Sequence, residues 1–304
     1  MSKRIEWLDI AKGITIILMV LGHSSIPKPI SNWIWSFHMP LFFLASGICT
    51  VFERTGVMDF FRKKVMSIGR PFVVYSVVVI VISYISKIKI DASIMTGWGA
   101  YALWFVPVLF VSLLLARFYF VFKGGGRFLY LFLLPFSSYI LSILHIHLPW
   151  NMSVAPYASM LLLYAYWHKD LIKSIPQFKW YWLVITFTIT TIVSLFYRLD
   201  MCYNNIRPIL VLSVGAISGS LFIAIISAYI DKIGGVIAHI LKQIGKETFI
   251  ILAFSQIVIL VINRYMVINP IWKYSLLILS LVMIKYTKDC IVLLYKRCIK
   301  TSPK

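Results

Sequence analysis

Ile209-Leu-Val-Leu-Ser-Val-Gly-Ala-Ile-Ser-Gly-Ser-Leu-Phe-Ile-Ala-Ile-Ile-Ser-Ala-Tyr-Ile230 contains no charged side chain. A run of about 20 predominantly apolar residues is long enough for one helical crossing of a lipid bilayer. Similar runs precede and follow this one along the chain, and no soluble fold accommodates so many of them. The sequence therefore predicts an all-α, polytopic integral membrane protein.

The composition of the chain agrees with this class. Of the 304 residues, 61% are hydrophobic and 13% are charged, and the mean hydropathy is +0.89. Soluble domains are about 45–50% apolar and about 25% charged. The four cysteines lack the spacing of a metal site or of a paired framework, so we expect no metal and no disulfide.

About ten apolar runs qualify as candidate spans, and no soluble domain fits into the connections between them. We therefore expect a single transmembrane domain over residues 1–304. The predicted spans are residues 11–27, 33–52, 70–86, 99–122, 128–146, 152–168, 179–197, 207–230, 247–266 and 270–295.

The basic residues predict the orientation of this bundle. Most of the 30 Lys and Arg residues fall in every second connection, and each of those connections carries at least two. Basic residues accumulate on the cytoplasmic side of membrane proteins. We therefore predict an even number of spans with both termini in the cytoplasm. The same rule explains the net charge of +20 without a nucleic-acid partner, while the basic C-terminal tail suits contact with anionic membrane lipids.

The first span carries ionisable residues, which are costly inside a membrane and are candidates for a functional site. His23 follows Lys12 by eleven residues. That separation is about three turns at 3.6 residues per turn, which puts both side chains on one helix face about 16 Å apart. Asp9 falls near the same face. We expect the three to line one shared cavity, with His23 well inside the bundle, where burial favours the neutral imidazole that a general base needs.

A plainer arrangement would account for the same residues. Asp9 and Lys12 suit an ion pair at the membrane interface, and His23 suits a helix end where it hydrogen-bonds to a loop. The second span favours the functional interpretation. There His38 precedes an apolar run that begins with proline, and Ser46 stands in a small polar interruption that allows close helix approach.

Two N-terminal motifs and three later ones follow one another in a recognisable order. The N-terminal motifs are Asp9-Ile-Ala-Lys12-Gly13-Ile with Leu21-Gly22-His23, and Phe37-His38-Met39-Pro40-Leu41-Phe42-Phe43 with Ser46-Gly47. The later ones are Arg70-Pro71-Phe72, Ala102-Leu103-Trp104-Phe105-Val106-Pro107 and Ile244-Gly245-Lys246-Glu247-Thr248. In this order the motifs resemble membrane-bound acyltransferase family 3, and most of all its fucose 4-O-acetylase-like branch. The middle of the chain, from about residue 125 to 205, matches mainly in hydropathy.

The resemblance implies an acetyl-CoA-dependent O-acyltransferase of the bacterial cytoplasmic membrane. The acyl group, usually acetyl, would pass from cytosolic acetyl-CoA to a sugar hydroxyl of an envelope or exported glycan, free or lipid-linked. The resemblance also implies that His23 is the general base. Lys12 stands where relatives commonly have arginine, and lysine keeps the charge but lacks the bidentate fork. A histidine that relatives often carry in the ninth span is absent, which leaves Ser255 or Gln256 for the acceptor site.

Basic residues beside the third span are candidates for binding the phosphates of coenzyme A. Lys63 and Lys64 precede the span and Arg70 opens it. Cations at a membrane opening bind phosphate through charge-assisted hydrogen bonds. A loop that only obeys the positive-inside rule would contain the same residues.

Aromatic and amide side chains are candidates for the carbohydrate acceptor, because they suit the CH and OH surfaces of a sugar. Trp104 and Asn151 are of this kind, and we group them with His38, Ser46 and Ser255 as candidate acceptor residues. An aromatic belt at the membrane interface or ordinary helix packing would also explain the tryptophan and the asparagine.

A transporter or exporter of a glycan is the alternative function. It would need a similar number of spans and similar polar and aromatic residues within the membrane. An inverted repeat in the hydropathy would favour a transporter, and none is visible. Consumption of acyl-CoA by the purified protein separates the two functions. A purely structural subunit is less compatible with the polar face of the first span.

Overall fold

The computed structural model describes residues 4–23, 26–89, 101–266 and 269–301, and in these ranges the regular secondary structure is helical apart from one β-bridge between Asp200 and Asn205. The α-helices are α1 (Glu6–Gly22), α2 (Lys28–Cys49), α3 (Val57–Lys64), α4 (Arg70–Ile85), α5 (Phe105–Tyr119), α6 (Gly124–Ile143), α7 (Ala155–Trp167), α8 (Lys169–Lys173), α9 (Tyr181–Phe196), α10 (Ile209–Ile233), α11 (Gly235–Lys246), α12 (Thr248–Tyr265) and α13 (Pro270–Thr301). A π-helical turn joins α3 to α4, so the two form one continuous rod.

Each predicted span contains a helix, but fewer helices than predicted have both the length and the apolar character of a crossing. Within the described ranges, the stretches that meet both criteria are Val57–Ile85, Ala102–Tyr119, Gly124–Ile143, Ile209–Ile233 and Thr248–Tyr265. The other helices are shorter or carry more polar residues. Residues 24–25 of the first predicted span and residues 99–100 of the fourth lie outside the described ranges.

The first helix differs from its prediction in a way that matters for the site. The predicted span 11–27 is replaced by a helix that ends at Gly22, so His23 follows the helix instead of lying within it. The hydroxyl of Ser31 and the Nε1 atom of Trp35 donate to the Gly22 carbonyl oxygen at 3.4 and 3.3 Å. Side chains of α2 thus satisfy a carbonyl that the end of a helix leaves without an intrahelical partner.

The helices α1 and α2 form the centre of the bundle. α1 packs against α2, α10, α11 and α12, and α2 also packs against α7, α9 and α10. Their inward side chains Ile16, Phe37 and Phe43 are fully buried. On the periphery, apolar side chains of α4, α6 and α9 face outward, among them Val77, Phe132 and Ile192. An apolar periphery around a packed interior is the arrangement expected for helices that contact lipid.

Glycines set the closest helix crossings of this bundle. At the crossing of α1 and α11, a Cβ atom at Gly245 would overlap the backbone carbonyl oxygen of Asp9, and a Cβ atom at Gly13 would overlap that of Leu241. At the crossing of α2 and α7, a Cβ atom at Gly47 would overlap another backbone carbonyl oxygen. Small residues allow the backbones of membrane helices to approach closely. Both central helices are therefore held by contacts that only glycine permits.

Replacing Gly245 with alanine should lower the stability of the folded protein. The added methyl group meets backbone atoms of α1, which cannot rotate away, and overpacking of this kind costs about 1–3 kcal/mol. Thermal unfolding of the detergent-solubilised protein measures the loss. Gly125→Ala is the matched control, because a Cβ atom there has no neighbour within 4 Å. Equal melting temperatures for the two variants would contradict the close crossing.

Candidate active site

A polar cavity of about 370 Å³ lies beside the end of α1. Most of its walls come from α1, α2, α12 and the loop between α9 and α10. We call it the histidine cavity, and its lining residues are Met19, His23, Trp35, His38, Met39, Ala102, Trp104, Asn151, Leu199, Asp200, Met201, Cys202, Tyr203 and Gln256. The structure thus brings together His23, His38, Trp104 and Asn151, which the sequence singles out from four separate segments.

Both imidazoles of this cavity are anchored through Nδ1 to their own helices. The Nδ1 atom of His23 lies 2.8 Å from the carbonyl oxygen of Met19, and that of His38 lies 3.0 Å from the carbonyl oxygen of Ile34. A carbonyl oxygen only accepts hydrogen bonds, so each Nδ1 must carry a proton and donate it. In the neutral ring Nε2 is then unprotonated and can accept a proton. This is the tautomer that a general base requires.

The two rings differ in exposure. His38 is only 3% exposed, whereas the side chain of His23 is exposed at the helix end. Their ring centroids are 6.0 Å apart in an edge-to-face arrangement, and Trp35 contacts both rings at 5.3 and 5.6 Å. The expectation that His23 lies deep within the bundle is therefore wrong, because α1 ends one residue before it. His38 is the buried histidine of the pair.

The loop between α9 and α10 closes one side of the histidine cavity and is tied down at several points. Asp200 and Asn205 exchange two backbone hydrogen bonds. The amide of Asn151 donates to the carbonyl oxygen of Cys202, and the amide of Asn204 donates to that of Ser138 at 3.0 Å. These bonds connect the loop to distant parts of the chain. The loop is therefore a fixed wall of the cavity.

Asp200 places a carboxylate in that wall, and its side chain is largely buried. The loop lies outside the membrane-spanning helices. Burial raises the pKa of the Asp200 carboxyl above its usual value, while a backbone hydrogen bond from Tyr203 and the charge of Arg198 act in the opposite direction. Arg198 contributes little as an ion-pair partner, because its guanidinium stacks 4.2 Å from the ring of Trp35 and its Nη2 atom is 3.9 Å from the carboxylate.

Two amide side chains leave polar atoms of the histidine cavity without a partner in the described structure. They are Oδ1 of Asn151, a hydrogen-bond acceptor, and Nε2 of Gln256, a donor. Both atoms are themselves covered in this structure. Since buried polar groups in folded proteins are nearly always hydrogen-bonded, either side chain gains a partner if it turns toward the cavity. Together with Trp35, Trp104 and the imidazoles, they give the cavity a mixed aromatic and hydrogen-bonding surface.

A second cavity, of about 250 Å³, lies nearer the start of α1. We call it the lysine cavity, because Lys12 lines it together with Ser46. The ammonium group of Lys12 pairs with the carboxylate of Asp9 at 2.7 Å, and Asp9 is also paired with Arg4. The hydroxyl of Ser46 donates to the Phe42 carbonyl oxygen at 2.8 Å. The ion pair of the first helix is therefore present. Ser46, predicted with the acceptor residues, lies in this cavity and does not line the histidine cavity.

An open, positively charged cleft adjoins the lysine cavity. We call it the basic cleft, and its cationic residues are Arg54, Arg62, Lys63 and Lys64. Cys49 and Ser67 line both spaces, so the cleft and the lysine cavity adjoin at these residues. Arg70 does not line either of them and is exposed on α4. Its predicted place beside Lys63 and Lys64 is wrong, because the π-helical turn continues α3 into α4 and carries position 70 past the cleft.

The histidine cavity and the lysine cavity are separate spaces. Phe42 and Phe105 line the lysine cavity, whereas Met39 and Trp104 of the same segments line the histidine cavity. The ring of Phe105 lies 6.0 Å from that of Phe42 and 4.8 Å from that of Phe43. The expectation that Lys12 and His23 share one cavity is therefore wrong. The rings of Phe42 and Phe105 belong to the wall of the lysine cavity, and Phe43 packs against Phe105.

Of Ser255 and Gln256, the two residues of the ninth predicted span that could bind the acceptor, only one lines the histidine cavity. Ser255 is fully buried, lines neither cavity and has no partner for its hydroxyl among the described residues. Its neighbour Gln256 lines the histidine cavity. The prediction that Ser255 lines the cavity is therefore wrong. Neighbouring residues of an α-helix point about 100° apart around its axis, so Ser255 and Gln256 face different sides.

Sequence reasoning missed Trp35, Arg198 and Asp200 as parts of the site. The hydrophobic pattern of the sequence does not distinguish Trp35 from any other aromatic residue near a membrane interface. Asp200 does leave a signal, because it is one of the few carboxylates in the segments predicted to lie outside. Only the folded loop reveals that this carboxylate faces the cavity.

The helical bundle, its apolar periphery and the interior polar cavities define a membrane protein with a buried site. Residues 5–287 match the family model described as Acyltransferase domain, which covers nearly the whole chain. The chain belongs to acyltransferase family 3 and is a membrane acyltransferase. No curated protein and no solved structure matches it.

The closed state of the loop between α9 and α10 can be tested through Cys202. Burial raises the pKa of its thiol to about 12, and the thiolate is the reactive form. We therefore expect alkylation of Cys202 by N-ethylmaleimide at neutral pH to be much slower than that of the exposed Cys290. Asn151→Ala removes a hydrogen bond that holds the loop. The free energy of opening the loop should fall by roughly 1.4 kcal/mol, and alkylation of Cys202 should become about tenfold faster.

Mass spectrometry of the labelled peptides gives both rates in one sample. Asn263→Ala is the control, because that residue is exposed on α12 and lines neither cavity. Alkylation of Cys202 as fast as that of Cys290 in the unmodified protein would show that the loop is open.

Proposed function

We propose that this protein transfers an acetyl group from acetyl-CoA to a sugar hydroxyl of an envelope or exported glycan, with His23 as general base. The observation that carries the proposal is the anchoring of the His23 ring by the Met19 carbonyl, which leaves Nε2 as the basic atom beside an aromatic and amide-lined cavity. The resemblance to the fucose 4-O-acetylase-like branch supports a sugar as the acceptor. The proposed topology is ten spans in the bacterial cytoplasmic membrane, with both termini in the cytoplasm.

The basic cleft is the proposed entrance for acetyl-CoA. Arg62, Lys63 and Lys64 would bind the phosphate groups through charge-assisted hydrogen bonds. In the proposed topology this cleft opens to the cytoplasm, where acetyl-CoA is made available. The pantetheine arm would extend from the cleft into the lysine cavity, where Lys12 and Ser46 line the wall. Asp9 keeps Lys12 in position through the ion pair between them.

The acetyl group must then pass from the lysine cavity to the histidine cavity. On α2 the lining residue changes from Phe42 to Met39, and on α12 from Leu252 to Gln256, so the cavities are about one helical turn apart. One turn of an α-helix is about 5.4 Å. The extended end of pantetheine can bridge this distance once the ring of Phe105 rotates aside. Aromatic rings at this position would also keep water from the thioester between reaction cycles.

The reaction follows from the protonation state of the imidazole. A sugar hydroxyl is a poor nucleophile until a base within about 3 Å removes its proton. His23 Nε2 would accept this proton as the hydroxyl oxygen attacks the thioester carbonyl carbon. The tetrahedral intermediate then collapses, the carbon–sulfur bond breaks, and the proton passes from His23 to the departing coenzyme A sulfur. His38, which is buried behind His23, would accept a hydrogen bond from the acceptor.

The polar and aromatic groups of the histidine cavity support a carbohydrate acceptor. Trp35 and Trp104 present flat apolar surfaces, and a ligand pocket typically combines such surfaces with a few directed polar groups. Asn151 Oδ1 and Gln256 Nε2 are covered and unpaired in this structure. After a rotation of either side chain, Asn151 Oδ1 could accept a hydrogen bond from a hydroxyl and Gln256 Nε2 could donate one to a hydroxyl. These atoms would be satisfied by sugar hydroxyls. The family match gives the transporter alternative no support.

Replacing His23 with alanine should abolish acyl transfer without unfolding the protein. Loss of a general base slows a reaction about 10²- to 10⁴-fold. The measurement is transfer of label from [¹⁴C]acetyl-CoA into base-labile material in membranes that contain the protein and its envelope polysaccharide. His168→Ala is the matched control, because His168 Nδ1 contacts the carbonyl oxygen of Tyr164 at 2.8 Å in the same way but lies outside the histidine cavity. Near-normal transfer by His23→Ala would exclude this residue as the base.

Removing charge from the basic cleft should weaken the binding of acetyl-CoA. We expect the double variant Lys63→Ala/Lys64→Ala to raise the KM for acetyl-CoA roughly 3- to 10-fold with little change in kcat, since exposed ion pairs are each worth about 0.2–1 kcal/mol. The effect should shrink at high salt, which screens these charges. Initial rates at varied acetyl-CoA concentrations measure it.

The matched control for this variant is Lys169→Ala/Lys173→Ala. These lysines also lie on the predicted cytoplasmic side, and Lys169 stands over the Tyr166 ring as Lys64 stands over the Phe60 ring. Neither control lysine lines the cleft. An equal rise in KM in both double variants would mean that the positive charge of the cytoplasmic face acts as a whole and that the cleft has no special part.

A further inference from the structure

We propose that Asp200 binds the acceptor, accepting hydrogen bonds from sugar hydroxyls next to the one that is acetylated. This inference rests on the proposed function and names the residue that selects the acceptor. The residue belongs to the loop between α9 and α10, which no motif of the sequence marks.

The carboxylate of Asp200 is buried without strong partners. The residue is 9% exposed. The backbone N–H of Tyr203 donates to Oδ1 over 3.4 Å, and the N–H of Cys202 adds a further backbone contact. A carboxylate can accept about four hydrogen bonds. Removal from water is expensive for such a group when its lone pairs are not filled. The observed contacts therefore leave capacity for a ligand that donates hydrogen bonds.

The nearby cation does not fill this capacity. Arg198 Nη2 stands 3.9 Å from Oδ2 of Asp200, beyond hydrogen-bonding distance. Its guanidinium plane lies instead over Trp35, with 4.2 Å between its central carbon and the ring centroid. A guanidinium in that position holds the tryptophan and the loop together. Asp200 therefore lines the histidine cavity without a cation within hydrogen-bonding distance of its carboxylate among the described residues.

The other polar residues of the cavity indicate what such a ligand must offer. Nε2 of His23 and of His38 are acceptors in the neutral rings, because Nδ1 of each carries the proton. With the carboxylate of Asp200 the wall holds three acceptors, while Tyr203 adds a hydroxyl that can donate or accept. A ligand rich in hydroxyl donors satisfies this set. A hydroxyl near Asp200 and another near His23 would lie on the same sugar or on adjacent ones.

A second role for Asp200 makes a different prediction. His23 and Asp200 are close enough for their charges to influence each other. If the carboxylate served only to stabilise the imidazolium that forms when His23 accepts a proton, its removal would lower kcat and shift the pH profile. Loss of an acceptor contact instead raises the KM for the acceptor, because binding is weakened in the ground state and the transition state alike.

The decisive experiment compares full-length Asp200→Asn with the unmodified protein in membranes. Polysaccharide isolated from cells that lack this protein serves as the acceptor, and [¹⁴C]acetyl-CoA serves as the donor. We expect the KM for polysaccharide to rise about 10- to 100-fold, as for the loss of a charge-assisted hydrogen bond. The kcat and the KM for acetyl-CoA should stay within about twofold. Asp170→Asn, which alters an exposed carboxylate paired with Lys173, should change nothing.

Other outcomes overturn the proposal. An unchanged KM for polysaccharide excludes Asp200 from the acceptor site, and a fall in kcat alone assigns it to the support of His23. If Asp200→Asn does not fold, Asp200→Glu takes its place, because a carboxylate displaced by one methylene should still raise the KM for polysaccharide. Absence of any label transfer by the unmodified protein refutes the proposed function itself, and this inference with it. Transfer with an unaltered acceptor KM refutes only the role of Asp200.

Discussion

The backbone of α1 touches the backbone of α11 at Asp9 and Gly245, where even a methyl group would overlap the Asp9 carbonyl oxygen. This contact sets the height and rotation of α1 against the rest of the bundle. It places Lys12 at the wall of the lysine cavity and, eleven residues later, His23 at the wall of the histidine cavity. Since a helix is rigid over three turns, both ends of the site depend on one crossing.

The two cavities suit ligands of opposite character. The basic cleft and lysine cavity carry cations, which attract an anionic nucleotide, whereas the histidine cavity carries mainly hydrogen-bond acceptors, which suit hydroxyl groups. Phe42 and Phe105 line the lysine cavity, whereas Met39 and Trp104 of the same segments line the histidine cavity. Under the proposed function, such a division would keep a reactive thioester away from water until the acceptor is bound, and it would let each ligand enter from its own side of the membrane.

The plain and the functional interpretations of the first helix describe the same geometry. Asp9 and Lys12 do form an ion pair, and His23 does end a helix, as an interfacial role would require. The difference lies in what surrounds them. His23 meets a second, buried imidazole and the indole of Trp35 at the edge of a polar cavity. A helix end that only packed against a loop would have no use for that environment.

The sequence by itself determined the class of protein, the approximate place of the apolar helices and part of the histidine cavity, because apolar length, basic clusters and motif spacing are local properties. His23, His38, Trp104 and Asn151 were all predictable, and the structure brings them together. Only the tertiary structure decided that α1 stops at Gly22, that Lys12 and His23 line separate cavities, and that Asp200 completes the wall of the histidine cavity. Each of these depends on contacts between segments far apart in the chain, which no local pattern records.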